Sequence, residues 1–342
     1  MRAAVFHQAG SLLSIESVAD PVPAADQVII EVARAGICGS DLHVTQFGLV
    51  PDGTILGHEF AGTIAEIGQE VSGGWKVGDK VTALPLQACK ACDACYEGLP
   101  ALCHANIFTG TALQAPGAFS QYVAARGSML QRLPAGMSFA EGALVEPLAV
   151  AHHTVEMAAM PKDAAILVIG AGPIGAGVAL FARLLGARHV VVSERSAARR
   201  QLALDMGATA IVDPTVEDVA ARFATIAGRT PQIVFECVGV RGLLQQAIQF
   251  AGRRGRVVVA GVCFGDDTII PLVALSKEIS VQFTQCYSER NFAEVIDAVA
   301  QGEVNPRPMH SDTIGFAEVP RTFEALRTAV GQCKVLIDPS RI

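Results

Sequence analysis

Residues 164–186 read AAILVIGAGPIGAGVALFARLLG. The first seven form an unbroken apolar run closed by a glycine, the pattern of a strand buried on both faces. From Pro173 onward apolar residues recur at helical spacing, so the segment is a strand, a glycine turn and a helix. The turn, Gly170-Ala171-Gly172-Pro173-Ile174-Gly175, has the spacing G-x-G-x-x-G. That spacing is weak alone but gains a mechanical meaning between a strand and a helix. Gly170 permits the tight turn. Gly172 lets the backbone approach a pyrophosphate, and Gly175 lets the helix lie close on the strand. The unpaired N–H groups at the helix start offer a site for the anion. Glu194 ends the next apolar run, HVVVSE. An acid there accepts hydrogen bonds from ribose hydroxyls and repels a 2′-phosphate, which favours NAD over NADP. Arg195, Arg199 and Arg200 follow it; they read either as a solvated basic helix face or as attractors of a 2′-phosphate.

Working outward, SAARRQLALDMG is the next helix, and AIVD, QIVFECVG and GRVVVAG are further strands separated by helices. This β-α-β alternation predicts a doubly wound parallel sheet. Towards the C-terminus come a strand (SVQFTQ), two helices (NFAEVIDAVAQG and VPRTFEALRTAVG) and a closing strand (CKVLIDP). Residues 1 to about 148 read differently. Short apolar runs such as VIIEVARAG, GTIAEIG and DKVTAL alternate with Gly, Pro and Asp turns, as in a mostly-β domain. The fold class is α/β. The chain of 342 residues, 51% of them hydrophobic, is long enough for two domains with separate cores.

The net charge of −7 and the absence of a basic run argue against nucleic acid as a partner. No apolar stretch reads as a membrane span, because residues 164–182 are interrupted by glycines and Pro173, and the N-terminus lacks the apolar core of a signal peptide. Nine cysteines fit a reducing cytoplasm.

Four of those cysteines lie in CKACDACYEGLPALC: Cys89, Cys92, Cys95 and Cys103. Thiolates at such short spacing wrap a tetrahedral zinc, and a shell of four is closed to substrate. A second group is open. Cys38 lies in GICGSDLH, and His58 and Glu59 lie in GHEFAG, each in a glycine-rich turn. Cysteine, imidazole and carboxylate leave one zinc position free, as catalysis requires. Glu146, in ALVEPLAV, is an acid inside an apolar run, and a divalent cation would supply its partner.

Together GICGSDLH, GHEFAG, the four-cysteine lobe, the VEP triplet and GAGPIG with its strand acid resemble the zinc-dependent medium-chain dehydrogenases. The resemblance implies a GroES-like, mostly-β catalytic domain over residues 1–148 and 281–342, with a structural zinc lobe at 86–105. It implies a Rossmann NAD-binding domain over 149–280. It also implies two zinc ions per chain, oxidation of alcohols or reduction of carbonyls, and a homotetramer or homodimer built by edge pairing of Rossmann sheets. The chain is most similar to the 2,3-butanediol, polyol and threonine dehydrogenase branch, where the zinc shell maps onto Cys38, His58 and Glu59 with Glu146 in reach. Sorbitol-type enzymes carry Tyr where Val44 stands and Arg near Tyr287, so a small diol or secondary alcohol suits this chain better than a long polyol. Threonine dehydrogenases read CGTD, against Ser40 here. Zinc as a Lewis acid would lower the pKa of the alcohol, Ser40 would pass its proton on, and His43 would be the next station. Arg199 is expected beside the adenosine ribose. Ala260-Gly261-Val262 and Gln285-Cys286-Tyr287 are expected along the nicotinamide. Cys237, Cys263 and Cys333 read as packed thiols, and His152 and His153 as structural. A non-catalytic NAD- and zinc-binding protein of the same fold is the alternative of a different class.

Overall fold

The computed structural model describes residues 1–328 and 331–341. The chain divides into two compact units, one of residues 1–146, 288–301 and 310–342, the other of residues 147–287 and 302–309.

The first unit is built on a seven-stranded sheet. Its path runs Leu130–Arg132, Lys80–Ala83, Glu59–Ile67, Gln27–Gly36, Lys334–Asp338 and His310–Gly315, with Tyr122–Arg126 also paired to Gln27–Gly36. The ten-residue strand Gln27–Gly36 is the spine. It pairs antiparallel with Glu59–Ile67, so that Gly36 faces Glu59 and Val28 faces Ile67. An antiparallel pair brings the end of one strand beside the start of the other. The turns holding Cys38 and His58 therefore emerge at the same edge, although they are far apart in sequence. Lys334–Asp338 pairs antiparallel on the other flank, with Leu336 opposite Gly36.

The second unit carries the parallel sheet that the glycine turn predicts. Its six strands lie in the order Ala210–Val212, His189–Ser193, Ala165–Ile169, Ile233–Glu236, Arg256–Val259 and Ser280–Phe283. The strand order reverses beside Ala165–Ile169, and ligands of such sheets sit at that switch point, beyond the strand ends. Leu167, Ile169, Val191, Val234 and Val257 pack one face against Phe223 and Ile248, all under a tenth exposed. Fully burying a side chain such as Phe223 contributes roughly 1.5–3 kcal/mol.

The boundary expected between 280 and 281 cuts a strand. Ser280–Phe283 extends the parallel sheet beside Arg256–Val259. An apolar run at a sheet edge and the first strand of a new domain look alike in sequence, and only the ladder distinguishes them. The expected helix in VPRTFEALRTAVG spans Val319–Ala325, and part of its C-terminal side lies outside the described residues. Among the described residues no helix is long and apolar enough to cross a membrane.

Candidate metal centres and cofactor site

Cys38 caps the start of the helix Gly39–Gln46, two residues beyond the end of the spine strand. His58 directly precedes the strand that Glu59 opens. Cys38 Sγ, one ring nitrogen of His58 and one carboxylate oxygen of Glu59 all lie within 4.8 Å of one another. His58 and Glu59 are buried, at 4% and 0% exposure.

Asp41, 1% exposed, organises two of these ligands. Its Oδ2 accepts the Cys38 N–H at 3.0 Å, and its Oδ1 lies 3.5 Å from His58 Nδ1. With Nδ1 turned to the carboxylate, Nε2 lies on the side of Ser40, whose Oγ is 3.5 Å away. Carboxylates behind ligating histidines fix ring orientation in this way. Burial disfavours the imidazolium, yet the Asp41 charge, its hydrogen bond and the Cys38 thiol hold the ring pKa well above 6.5. The pocket thus favours positive charge at this point. Glu59 Oε1 accepts from Lys334 Nζ at 2.6 Å, whereas Glu59 Oε2 is buried without a hydrogen-bond partner among the described residues. Burial opposes the charge of Lys334, but Glu59 and Cys38 outweigh it and its pKa is raised. A donor set of one half-buried thiol, one buried imidazole and one buried, half-satisfied carboxylate fits a divalent zinc with a position left over. Glu146, expected as a further ligand, is buried at the start of the helix Val145–Met157 but stands outside the 4.8 Å group.

His43 is half-buried on the helix Gly39–Gln46, and Phe108 sets its ring edge against His58 with centroids 4.9 Å apart. Desolvation first, and then the Arg327 charge, lower the His43 pKa below 6.5.

Cys89, Cys92, Cys95 and Cys103 form the second group. The Sγ of Cys95 is 3.9 Å from that of Cys89 and 3.5 Å from that of Cys92. Zinc–sulfur bonds of about 2.3 Å in a tetrahedron place sulfurs roughly 3.8 Å apart, so the cluster fits the ion. The Cys89 N–H, 3.3 Å from Cys103 Sγ, leads the lowering of that thiol's pKa to about 6.

At the switch point Gly170 has φ 91, the left-handed conformation that favours glycine. A Cβ on Gly175 would lie 2.0 Å from the Gly170 carbonyl oxygen, while a Cβ on Gly172 would meet nothing within 4 Å. Gly175 is therefore needed for packing. Gly172 fronts open space at the start of the helix Pro173–Leu184, where an anion would lie. Pro173 and Ile174 form that helix's first turn. Glu194 follows its strand directly; Oε2 accepts from Ala171 N at 2.8 Å and Oε1 from Ser196 N at 2.8 Å. Arg195 is exposed and Arg199 half-buried. Arg200 is engaged by the Glu194 and Arg195 carbonyls and by Asp213. Val262 is 58% exposed, and Ala260 and Gly261 donate to the Glu236 carbonyl at 2.9 Å. Gln285 is exposed, Cys286 has φ 49, and Tyr287 is 1% exposed. Cys263 is exposed rather than packed, whereas burial pushes the Cys237 thiol up. His152 packs against Phe181 with ring centroids 4.8 Å apart and planes tilted by 55°.

Three residues of these sites escaped the sequence reading. Asp41 has the capping spacing after Cys38. Lys334 is a charge in the apolar run KVLID, the same anomaly that singled out Glu146. Glu236 ends the strand Ile233–Glu236, and its Oε1 holds the Val238 and Gly239 N–H groups at 2.8 and 2.9 Å.

The alcohol dehydrogenase GroES-like domain family matches residues 24–135, and the zinc-binding dehydrogenase family matches residues 173–301. A 2-dehydro-3-deoxy-L-galactonate 5-dehydrogenase of Pseudoalteromonas atlantica is 34% identical over 88% of this chain and 88% of its own. The solved structure of 2R,3R-butanediol dehydrogenase from Bacillus subtilis is 31% identical, with a TM-score of 0.88 and 99% of each chain covered. A Sinorhizobium meliloti 1021 structure, described as a zinc-binding dehydrogenase bound to NADP, is 30% identical with a TM-score of 0.91, again covering 99% of each chain.

Proposed function

The chain belongs to the zinc-type medium-chain dehydrogenases, and on that premise we propose that it interconverts a secondary alcohol or vicinal diol with the corresponding ketone or hydroxyketone, using NAD(H). The observation that carries the proposal is the Cys38–His58–Glu59 group, with its unpartnered Glu59 oxygen and, among the described residues, three protein ligands within 4.8 Å of one another. Zinc held there supplies a Lewis acid that lowers the pKa of a substrate hydroxyl, and the nicotinamide supplies the hydride acceptor.

The chain's own residues do the rest. Asp41 and Lys334 orient the ligands. Ser40, with Oγ 3.5 Å from His58 Nε2, stands beside the metal group and receives the hydroxyl proton. His43, kept neutral by burial and by Arg327, takes it onward. Gly172 leaves room for the pyrophosphate, and the Glu194 carboxylate disfavours a 2′-phosphate. The engagement of Arg200 with Asp213 removes one of the three arginines that would attract that phosphate, which supports NAD. Val44 offers a polyol no hydroxyl partner, which supports a small diol. A polyol or sugar-acid substrate is the second reading, favoured by the 34% identical relative.

Two further readings accompany this one. The edge strand Ser280–Phe283, with Phe283 63% exposed and Leu272 and Leu275 exposed nearby in sequence, supports self-association into a dimer or tetramer. Nine free cysteines support a cytoplasmic location.

Purified protein mixed with NAD⁺ and a panel of secondary alcohols and (R,R)- and (S,S)-diols should generate reduced nicotinamide absorbance. Cys38→Ser should abolish it. Silence across the panel, or full activity in the variant, refutes the reading.

A further inference from the structure

Three strands meet at the metal end of the first unit's sheet. Gln27–Gly36 lies between Glu59–Ile67 and Lys334–Asp338. The two outer strands stand roughly 9–10 Å apart at the usual ladder spacing. A glutamate on one and a lysine on the other meet only if the middle strand leaves them room. Gly36, opposite Glu59 on one side and Leu336 on the other, leaves it. A Cβ built on Gly36 would lie 2.1 Å from Glu59 Oε2. Lys334 Nζ reaches Glu59 Oε1 at 2.6 Å and the Ile37 carbonyl at 3.0 Å. Both side chains are 1% exposed, so water does not loosen the pair.

We propose that Lys334, reaching past Gly36, is a positioning residue of the catalytic metal centre, which takes Oε1 of Glu59 so that Glu59 serves the metal through Oε2 alone. The inference rests on the zinc reading above. A carboxylate free to turn would offer a metal both oxygens and fill the position that the substrate needs. Held at Oε1, it fills one. The lysine charge also balances the site. With a divalent cation bound, the ammonium offsets one of the three negative charges of Cys38, Glu59 and Asp41, and the cluster is neutral.

The test reads metal binding in the full-length protein, with cobalt(II) as the spectroscopic probe. Wild type should hold about two metal ions per chain, one of them in the four-thiolate lobe. Lys334→Met should keep the lobe ion and bind the second roughly 10- to 100-fold more weakly in chelator competition, with altered cobalt d–d bands. Lys334→Arg should restore both readouts, because it returns the charge and a donor. Gly36→Ala, with the lysine intact, should reproduce the loss by displacing Oε2. Wild-type affinity and an unchanged cobalt spectrum in Lys334→Met overturn the inference and leave the metal site standing. A wild-type chain that binds only the lobe ion overturns the metal site itself. If Lys334→Met fails to fold, Glu59→Gln is compared with the Glu59→Gln/Lys334→Met pair, which buries no unpaired charge. Equal affinities support action through Glu59, and a further loss in the pair overturns it.

Discussion

Glu194 Oε2 accepts the backbone N–H of Ala171 at 2.8 Å, so the acid ending one strand closes the glycine turn that ends its neighbour. The same carboxylate holds Ser196 N through its other oxygen. Its position is thus set before any ribose arrives. Glu194→Ala removes the charge and these contacts together. A hydrogen bond to a charged group is worth about 1.5–3 kcal/mol, or roughly 10- to 100-fold in binding. The expected result is a rise of that order in KM for NAD, with NADP affected less, so that the preference narrows or inverts. Steady-state kinetics with both cofactors measures it; an unchanged ratio would remove Glu194 from cofactor selection.

Gly172 and Gly175 should fail in opposite ways. A Cβ at Gly175 meets the Gly170 carbonyl at 2.0 Å, and overpacking of this kind costs about 1–3 kcal/mol. Gly175→Ala should therefore lower Tm by several degrees, at roughly 2–4 °C per kcal/mol for domains of this size. A Cβ at Gly172 meets no protein atom within 4 Å. Gly172→Ala should keep Tm and weaken NADH binding, because the methyl enters the space of the pyrophosphate. Thermal denaturation and fluorescence titration separate the two, and equal Tm losses contradict the assignment of Gly172 to the ligand.

The same contrast explains what the sequence made legible. Periodicity exposed the parallel sheet, because strands buried on both faces must be apolar runs, and the motif lay at its switch point. Cys38, His58 and Glu59 were legible because each stands in a glycine turn, although only the antiparallel pairing of Gly36 with Glu59 brings the turns together. The contact that Lys334 makes was not legible. Its partner is on a distant strand, and no local pattern encodes a contact made past a third strand. Glu146 marks the limit from the other side: an acid in an apolar run signals burial but not its distance from a metal. The boundary at 281 failed for a similar reason, since ladder pairing at an edge leaves no mark in hydrophobic pattern.

His7 should give the chain a pH-dependent surface clamp. Its Nδ1 lies 2.6 Å from Asp52 and its Nε2 2.6 Å from Glu16. Both nitrogens face carboxylates, so the bound form is the imidazolium. Hydrogen bonds to Glu16 and then Asp52 raise the His7 pKa, and the bond to His7 leads the lowering of the Glu16 pKa. A raised histidine pKa means stabilisation present below 6.5 and lost as pH rises through the folded value. A lowered glutamate pKa means stabilisation present above 4.5 and lost as pH falls through the folded value. The clamp is complete between the two. His7→Gln should lower Tm most near pH 6 and least near pH 9. A Tm difference that is flat with pH contradicts the clamp.

The four-thiolate lobe should matter to stability before it matters to chemistry. Its sulfurs already stand near zinc spacing, and a structural zinc contributes its binding energy to folding. Cys95→Ser should reduce the metal content from about two ions per chain to about one and lower Tm, with the remaining ion at Cys38. Elemental analysis with calorimetry tests this. Loss of both ions would tie the two sites together.

Arg327 should set the acid limb of alcohol oxidation. It donates to the Leu42 carbonyl and, at 2.9 Å, to Thr45 Oγ1, so its charge is pinned along the helix that carries His43. Desolvation first and this charge second keep the His43 pKa below 6.5. A base with a lowered pKa stays deprotonated, and able to accept, to lower pH. Removing the charge in Arg327→Met should raise the His43 pKa, so the acid limb of kcat/KM moves to higher pH. Arg327→Lys should hold it near the wild-type position. His43→Gln should remove the limb and cost about 10²- to 10⁴-fold, the usual contribution of a positioned proton acceptor. If the limb survives in His43→Gln, the titrating group is another one and His43 is no station on the proton path. If the limb vanishes there yet stands still in Arg327→Met, His43 carries the proton and Arg327 serves only to hold the helix.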